Sequence, residues 1–240
     1  MGIIPARLHS TRLPEKALQD LGGAPLIVRV MERVRQAAAI RKVWVATDSP
    51  RIAEAVRSAG GDVIMTRAEL PSGLDRVAEA AREVGDEIIV NIQGDEPFVS
   101  PAGLAHLVSL FEDPNARIAT LAAPFPPASD PSDPNRVKVV LDRAGRALYF
   151  SRSPIPHGAG GDLPALLHVG VYAYRRETLL DLARFGPCPL ERAEGLEQLR
   201  ALWHGIPIHV AVGSYGSLGI DTPEDLDRAR LQYGTRRETR

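Results

Sequence analysis

Cysteine is nearly absent from this sequence, since Cys188 is the single one in 240 residues. One cysteine cannot close a disulfide within the chain, which suits the reducing environment of the cytoplasm. The first residues contain no extended apolar segment of the kind that secretory signal peptides carry, and no apolar run elsewhere approaches the length of a membrane span. We therefore expect a cytoplasmic protein that does not contact membranes, and we interpret Cys188 as structural.

An excess of charge of either sign is also missing, because 29 lysine and arginine residues are balanced by 30 aspartate and glutamate residues. A general nucleic-acid-binding protein would carry a basic surplus, so we expect no nucleic-acid partner. Any anion-binding site must then be local. With 44% hydrophobic and 25% charged residues, the composition is that of an ordinary globular protein, and we assign residues 1–240 to a single domain.

Several common enzyme motifs are missing as well. The chain has no Gly-x-x-x-x-Gly-Lys-Ser/Thr sequence, which excludes a P-loop enzyme. It has no Gly-x-Gly-x-x-Gly after its first apolar segment, which argues against a dinucleotide-dependent oxidoreductase. Histidine and cysteine are not clustered at the spacing of zinc ligands, and there is no Gly-x-Ser-x-Gly elbow.

Short apolar segments and helical patterns alternate along the chain. The segments near residues 3–5, 42–48, 62–66, 87–92 and 117–121 predict strands, most of them followed by a loop and a helix. This order is typical of a parallel sheet with right-handed crossovers. We therefore predict an α/β fold with a Rossmann-like, mostly parallel sheet flanked by helices.

The pattern changes between residues 124 and 164. Two short strands are predicted there, over 137–141 and 147–151, and residues 142–145 form a hairpin turn between them. We interpret this segment as a hairpin-rich excursion from the sheet and as a candidate dimer interface, with a loop over 157–161. Farther on, we predict strands over 168–175 and 208–212 and a helix over 193–203.

A basic loop follows the first predicted strand. It leaves that strand at Pro5 and carries three cations and two hydroxyl groups, on Arg7, Arg12, Lys16, Ser10 and Thr11. Such a loop makes a concave site for a polyanion, most simply a triphosphate. The alternative is a solvated basic loop, since lysine and arginine are mostly exposed. We favour the binding site because ligands of open α/β sheets bind at the carboxyl ends of the strands.

Two aspartates follow other strand-like segments. Asp95 comes after the strand predicted over 87–92, and it suits either a turn or cap or a Mg²⁺ site facing the basic loop. Asp221 precedes a helix that Thr222 can cap with Pro223 in its first position, so Thr222 has a structural explanation and Asp221 has none. Carboxylates, a metal site and a triphosphate loop together suit phosphoryl or nucleotidyl transfer.

These residues belong to a longer series of motifs in collinear order. The series is Pro-Ala-Arg at 5–7, Ser-Thr-Arg-Leu-Pro at 10–14 followed by Lys16, Ser-Gly at 72–73, Asn-Ile-Gln-Gly-Asp-Glu-Pro at 91–97, Val-Lys-Val-Val at 137–140, Tyr-Phe-Ser-Arg at 149–152, His-Val-Gly-Val-Tyr at 168–172, Leu-Glu-Gln-Leu-Arg at 196–200 and Gly-Ile-Asp-Thr-Pro-Glu-Asp-Leu at 219–226. It resembles the 3-deoxy-manno-octulosonate (Kdo) cytidylyltransferase family over almost the whole chain. The opening loop is shared with other sugar nucleotidyltransferases, and the later blocks narrow the resemblance to the Kdo enzymes.

The resemblance implies an Mg²⁺-dependent transfer of CMP from CTP to Kdo, with release of pyrophosphate, for lipopolysaccharide synthesis by a homodimer. It implies catalytic roles for Arg7, Lys16, Asp95 and Asp221, with the two aspartates as metal ligands. It implies nucleotide binding by Ala6, Arg7, Arg12, Lys16, Ser72, Gly73, Arg76 and Gln93. It implies a sugar pocket formed by Arg152, His168, Tyr172, Glu197 and Gln198. Kdo carries a carboxylate and many hydroxyls, which one arginine and several hydrogen-bonding side chains would suit.

Alternatives stay open at several positions. Ser72 can simply cap the helix that follows it, and His168 can be a strand histidine paired inside the core. Leu74 stands where the family usually has threonine, and the stretch from Pro156 to His168 is short and glycine-rich. The acceptor can be another acid sugar, such as 8-amino-Kdo or a sialic-type sugar. A catalytically silent nucleotide-binding protein is the alternative from another class.

Overall fold

The computed structural model describes residues 1–10, 12–125, 130–159, 165–215 and 219–238. Thr11 and part of the loop predicted over 157–161 therefore lie outside the described residues. The strands are β1 (Gly2–Ala6), β2 (Val43–Thr47), β3 (Asp62–Met65), β4 (Ile88–Asn91), β5 (Ile118–Pro124), β6 (Lys138–Leu141), β7 (Ala147–Ser151), β8 (Leu166–Arg175) and β9 (Ile208–Val212). The helices are α1 (Leu26–Val34), α2 (Pro50–Ser58), α3 (Gly73–Ala80), α4 (Pro101–Ser109), α5 (Arg176–Leu182), α6 (Pro189–Glu194), α7 (Leu199–Trp203) and α8 (Pro223–Glu238). None of these described helices is both long and apolar enough to cross a membrane.

The central sheet has the strand order β3-β2-β1-β4-β8-β5-β9. Strand β1 is parallel to β2 and β4, β2 is parallel to β3, and β5 is parallel to β9. Strand β8 runs antiparallel to both of its neighbours, β4 and β5. The predicted Rossmann-like α/β sheet flanked by helices is therefore confirmed, but the sheet is mixed, because four of the eight strand pairs among the described residues are antiparallel. Strand β8 can be reversed because it follows a hairpin, whereas parallel neighbours need a long crossover connection.

The predicted excursion extends this same sheet. Strand β6 pairs antiparallel with β7 and, through Lys138 and Val139, with the first residues of β8. The predicted turn is present, since the Asp142 carboxylate accepts hydrogen bonds from the main-chain N–H groups of Ala144 and Arg146. Because β8 has ten residues, its first part can pair with β6 while its last part pairs with β4. The hairpin is thereby held against the centre of the sheet.

The core has one apolar layer on each face of the sheet. Ile3 and Ile4 are both fully buried on opposite faces, because side chains alternate along a strand. Helices α1, α2, α4 and α8 cover the face of Ile4, and α3, α5 and α7 cover the face of Ile3. Burial of one such side chain contributes about 2–3 kcal/mol. The alternation of buried side chains therefore fixes which helices cover which face of the sheet.

The helix predicted over 193–203 is wrong in its extent. Helix α6 ends at Glu194, and Gly195 has a left-handed conformation with φ 62°. Helix α7 begins only at Leu199, so Glu197 and Gln198 lie in the turn between the two helices. Glycine ends helices in this way because it adopts positive φ at little cost. The break directs a short stretch of chain toward the sheet instead of continuing a surface helix.

Two further contacts hold this helical segment. The Cys188 sulfur accepts a hydrogen bond from the Glu191 N–H at 3.3 Å and caps α6, which agrees with a structural role for the cysteine. The buried Arg200 guanidinium binds the Glu191 carboxylate with two hydrogen bonds, at 2.9 and 2.6 Å. A paired arginine of this kind has the geometry that makes a buried ion pair tolerable. The turn that carries Glu197 is thus fixed on both sides.

Candidate active site

A crevice of about 300 Å³ opens beyond the carboxyl ends of β1 and β4. It brings together every residue that the sequence assigned to nucleotide or metal binding, namely Ala6, Arg7, Arg12, Lys16, Ser72, Gly73, Arg76, Gln93, Asp95 and Asp221. Adjacent parallel strands end at the same edge of the sheet, which is where α/β proteins bind ligands. Residues as far apart in sequence as Ala6 and Asp221 therefore share one cavity.

The basic loop is anchored beneath the crevice. Leu13 and Ala17 are buried in the core on either side of Lys16, which begins a 3-10 helix. Glu15 adopts a left-handed conformation with φ 50°, and its carboxylate binds the Arg51 guanidinium, with one contact at 2.9 Å. A left-handed residue other than glycine costs about 1–2 kcal/mol. The loop spends this energy at the position that directs Lys16 toward the two aspartates.

The Lys16 ammonium lies between the two candidate metal ligands. Its Nζ atom is 2.5 Å from Asp95 Oδ2 and 2.9 Å from Asp221 Oδ1, and Arg12 Nη2 is 3.0 Å from the same Asp221 oxygen. A main-chain hydrogen bond of 3.0 Å from Ile220 N–H to Asp95 O joins the two acidic segments. Burial opposes the charge on Lys16, but both carboxylates favour it and raise the pKa of Lys16 above its usual value.

A third carboxylate in this region was missed by the sequence analysis. Burial, and then the charges of Asp95 and Asp221, raise the pKa of Glu96 to about 8. Its Oε2 atom is buried and has no hydrogen-bond partner among the described residues. The motif at 91–97 contained the signal, but Asp95 and Glu96 are adjacent, and sequence spacing cannot show which of them faces the basic loop.

The donor set fits a magnesium ion whose coordination is completed by a ligand. Within the ranges that the structure describes, no group of three histidine, cysteine, aspartate or glutamate residues forms a complete metal site. Asp95 and Asp221 nonetheless lie on either side of one cation, the Lys16 ammonium. A metal ion could take the place of this ammonium between the two carboxylates. Mg²⁺ commonly binds one or two carboxylates together with substrate phosphates and water.

The amino terminus of α3 forms the opposite wall. The Ser72 hydroxyl accepts a hydrogen bond from Asp75 N–H at 3.2 Å and donates one to the Asp75 carboxylate at 2.6 Å. The capping role of Ser72 is therefore real, and the residue also lines the crevice. Leu74 is buried in the core under α3, so this departure from the family motif lies away from the cavity.

Two other residues that line the crevice have structural roles. Arg76 lines the crevice, but its guanidinium is buried and bonded to Thr66 and, at 3.1 Å, to Asp48. Gly94 must be a glycine, because a Cβ atom there would lie 2.8 Å from the carbonyl oxygen of Pro5. This close approach brings the segment with Gln93 and Asp95 against the end of β1. Arg7, in contrast, is exposed at the crevice and forms no ion pair with a described residue.

The five candidate sugar-binding residues do not line this crevice. Tyr172 of β8 pairs with Asn91, the last residue of β4, two positions before Gln93. The Glu197 carboxyl group lies near Ser72, which lines the crevice. The His168 ring packs on Tyr172, with centroids 5.4 Å apart, and on Phe150 at 5.0 Å. Arg152 follows Phe150 by two residues, on the same side of the site as Gly195.

Unsatisfied polar atoms mark this second region. The Gln198 Nε2 amide and the Tyr172 hydroxyl are both buried, and neither forms a hydrogen bond of good geometry with a described residue. Burial without a partner costs about 1–3 kcal/mol for each group. Both atoms belong to residues that the resemblance assigned to the sugar. Each of the two groups therefore has hydrogen-bonding capacity that the described residues leave unused.

The proton on His168 is placed by its neighbour. Thr120 donates its hydroxyl proton to the Val171 carbonyl at 2.8 Å, so its oxygen can accept the N–H of His168 Nε2 at 3.0 Å. Nδ1 of the neutral ring is then a hydrogen-bond acceptor. Burial lowers the pKa of His168 to about 3. The histidine is thus paired within the fold, as one alternative predicted, and still carries an acceptor next to Tyr172.

We expect His168 to make the protein less stable in acid. Below the ordinary histidine pKa of about 6.5 the unfolded chain binds a proton that the folded ring refuses. The contribution of His168 to the free energy of unfolding is therefore fully present above this pH. It is lost as the pH falls toward 3, by about 1.4 kcal/mol per pH unit. Urea unfolding of the wild type and of His168→Gln between pH 7 and 4.5 should show the variant losing less stability. The exposed His157→Gln variant is the control and should follow the wild type, and parallel curves for all three proteins would contradict the assignment.

The topology and the position of the crevice are those of the nucleotidyltransferase class, and comparison with known proteins agrees. The sequence model of a family described as cytidylyltransferase matches residues 1–208. A protein of Serratia proteamaculans (strain 568), named 3-deoxy-manno-octulosonate cytidylyltransferase, is 47% identical over 244 aligned positions, which cover 96% of this chain and 97% of that protein. A protein of Hahella chejuensis (strain KCTC 2396) with the same name is 49% identical and covers 95% of each chain.

A solved structure gives the same result in three dimensions. It is described as CMP:2-keto-3-deoxy-manno-octonic acid synthetase complexed with CTP, and it superposes with a TM-score of 0.93 at 41% identity. The match covers 98% of both chains. The chain belongs to the 3-deoxy-manno-octulosonate cytidylyltransferase family, which confirms the resemblance found in its sequence.

Proposed function

We propose that this chain transfers CMP from CTP to the anomeric hydroxyl of Kdo and releases pyrophosphate. The observation that carries the proposal is the position of Lys16 between Asp95 and Asp221, in a crevice that Arg7 and Arg12 share. The relatives named for this reaction support it, as does the related structure that holds CTP. The single cysteine suits a reaction in the cytoplasm. We propose that the CMP-Kdo formed in this reaction is used for lipopolysaccharide synthesis.

The basic loop would bind the triphosphate. Arg7 has no ion-pair partner among the described residues, and Lys16 and Arg12 can exchange carboxylate oxygens for phosphate oxygens. Phosphate is a strong acceptor for all three cations. The base would lie at the amino terminus of α3, beside Ser72 and Gly73, where main-chain N–H groups are available. Gln93 and Ala6 would complete the nucleotide site between these two walls.

We propose that Asp95 and Asp221 hold Mg²⁺ together with the nucleotide. The ion, when bound, would supply positive charge to the phosphates and lower the pKa of the attacking hydroxyl. Lys16 would move from the carboxylates to the phosphates as nucleotide and metal enter. This exchange would limit the repulsion between Asp95 and Asp221 at each stage, because one cation replaces another between them.

The polar cluster beside the crevice would hold the acid sugar. Arg152 would bind the sugar carboxylate, Gln198 would donate from Nε2 to a hydroxyl oxygen, and His168 Nδ1 would accept from a hydroxyl group. Glu197, which lies near Ser72, would join this region to the nucleotide wall. The anomeric oxygen would then attack the α-phosphorus, the bond to the bridging oxygen would break, and the hydroxyl proton would pass to solvent. We assign no side chain as general base.

Pyrophosphate release from CTP and Mg²⁺ with a panel of acid sugars tests the function. We expect the highest kcat/KM with Kdo, and lower values with 8-amino-Kdo and with a sialic acid. Pyrophosphate release with another sugar and none with Kdo would show that the other sugar is the acceptor. CTP binding in calorimetry without release on any sugar would instead support the silent nucleotide-binding protein.

The homodimer stays a prediction, and the outer edge of β7, where Leu148 is 61% exposed, is a surface on which a second copy would fit.

A further inference from the structure

Lys138 is a lysine with an unusual position. The chain has three lysines, and Lys138 of β6 is the fully buried one, whereas Lys42 is 45% exposed. Burial of an ammonium group costs several kcal/mol unless it is paired and hydrogen bonded. Lys138 forms no ion pair within 4 Å of a described carboxylate. Its hydrogen bonds go to two main-chain carbonyl oxygens instead, those of Asp133, at 3.1 Å, and Arg152.

The charges around Lys138 do not remove this cost. Burial lowers the pKa of Lys138, although the nearby carboxylates of Asp133, Asp130 and Glu194 oppose that shift. A methionine of similar length would fill the same volume in β6 without the loss of hydration. We therefore look for the role of the buried ammonium in the two carbonyl groups that it binds. One is the carbonyl of Arg152 itself, and the other is that of Asp133, next to the Pro134 carbonyl that the Arg152 side chain contacts.

The Arg152 guanidinium is held by main-chain carbonyl groups of two segments, at 134 and at 194–195. Its guanidinium donates from Nη1 to Pro134 O at 2.8 Å, from Nε to Glu194 O at 2.7 Å and from Nη2 to Gly195 O at 3.3 Å. Its main-chain N–H donates to the Glu194 carboxylate at 2.9 Å. A guanidinium has five N–H donors, so two remain for a carboxylate. Lys138 holds the main chain of Arg152 and the residue before Pro134, and so fixes both the base and the tip of this side chain.

We propose that Lys138 is the positioning residue for the Arg152 guanidinium, and through it for the carboxylate of the acid sugar. This inference rests on the proposed function, in which Arg152 binds that carboxylate. Lys138 touches no substrate. Removal of its ammonium leaves two carbonyl groups without a donor, and the loop at 133–134 and the end of β7 can then separate. The two free N–H groups of Arg152 would lose their common direction, while the crevice for CTP would stay intact.

The test is steady-state kinetics of Lys138→Met beside the wild type. We expect KM for Kdo to rise at least about 10-fold, which is about 1.4 kcal/mol, whereas KM for CTP stays within about two-fold. In an Arg152→Met background the Lys138→Met change should add little, because both act through one contact. Lys42→Met is the matched control, since it removes an exposed lysine of the same sheet, and its constants should equal those of the wild type.

Several outcomes decide against the inference. An unchanged KM for Kdo in Lys138→Met, or full additivity with Arg152→Met, overturns it. If Lys138→Met does not unfold cooperatively, Lys138→Gln is used, because its amide keeps N–H donors on a neutral group, and a smaller selective rise in KM for Kdo is expected. Loss of CTP binding in calorimetry for both variants shows a purely structural role. If the wild type prefers another acid sugar, KM is measured with that sugar, and absence of turnover with every acid sugar removes the proposed function and this inference with it.

Discussion

Replacement of Asp95 by asparagine should lower kcat by at least about 10³-fold, which corresponds to about 4 kcal/mol of transition-state stabilisation. Asparagine keeps the shape of the side chain and loses the negative charge that the proposed magnesium ion requires. Its amide oxygen can still accept a hydrogen bond from Lys16, and the main-chain bond between Ile220 and Asp95 is unaffected. The variant should therefore fold normally and fail in the reaction.

The measurement is pyrophosphate release at saturating CTP and Kdo, together with thermal unfolding. Asp62→Asn is the matched control, because Asp62 begins β3 on the surface, is 45% exposed and pairs only weakly with Lys42 at 3.5 Å. We expect wild-type turnover from the control and an unchanged melting temperature in both variants. Turnover of Asp95→Asn within a few-fold of the wild type would remove Asp95 from the metal site.

Replacement of Lys16 by methionine should have the second largest effect, and it should separate binding from stability. We expect kcat/KM for CTP to fall about 10²-fold or more, because the triphosphate loses a direct cationic contact. In the absence of metal the same variant should also be less stable, by about 1–2 kcal/mol. Asp95 and Asp221 would then face each other without the ammonium that now lies between them.

Magnesium should reverse the second effect more than the first. A divalent cation bound between the carboxylates replaces the lost charge, and binding to the folded state alone raises the free energy of unfolding. Urea unfolding in EDTA and in Mg²⁺ should therefore show a larger gain from the metal for Lys16→Met than for the wild type or for Lys42→Met. Equal gains in all three proteins would show that the metal does not bind where Lys16 lies.

The local pattern of this sequence predicted most of the strands and several caps. Apolar segments gave the strand positions, and the apolar residues that recur at helical spacing in α1, namely Ile27, Val30, Met31 and Val34, are fully buried. Thr222 caps α8, with its hydroxyl accepting from Asp225 N–H at 3.2 Å. Periodicity and capping depend on residues a few positions apart, so they can be read without the fold. The expected meeting of the basic loop with Asp95 followed from the strand order and from where parallel strands end.

Other features depend on residues that are distant in the sequence. The reversal of β8 and the raised pKa of Glu96 depend on burial and on groups, such as Asp221, that are more than twenty residues away. The contact between Lys138 and Arg152 depends on the register in which β6 pairs with β7, and neither strand alone defines that register. Alternation of apolar residues in the sequence thus determined an α/β chain with a basic loop and two acidic strand ends. Only the assembled sheet decided which charges touch, because electrostatic energy depends on distances in space and on burial, which the order of residues does not contain.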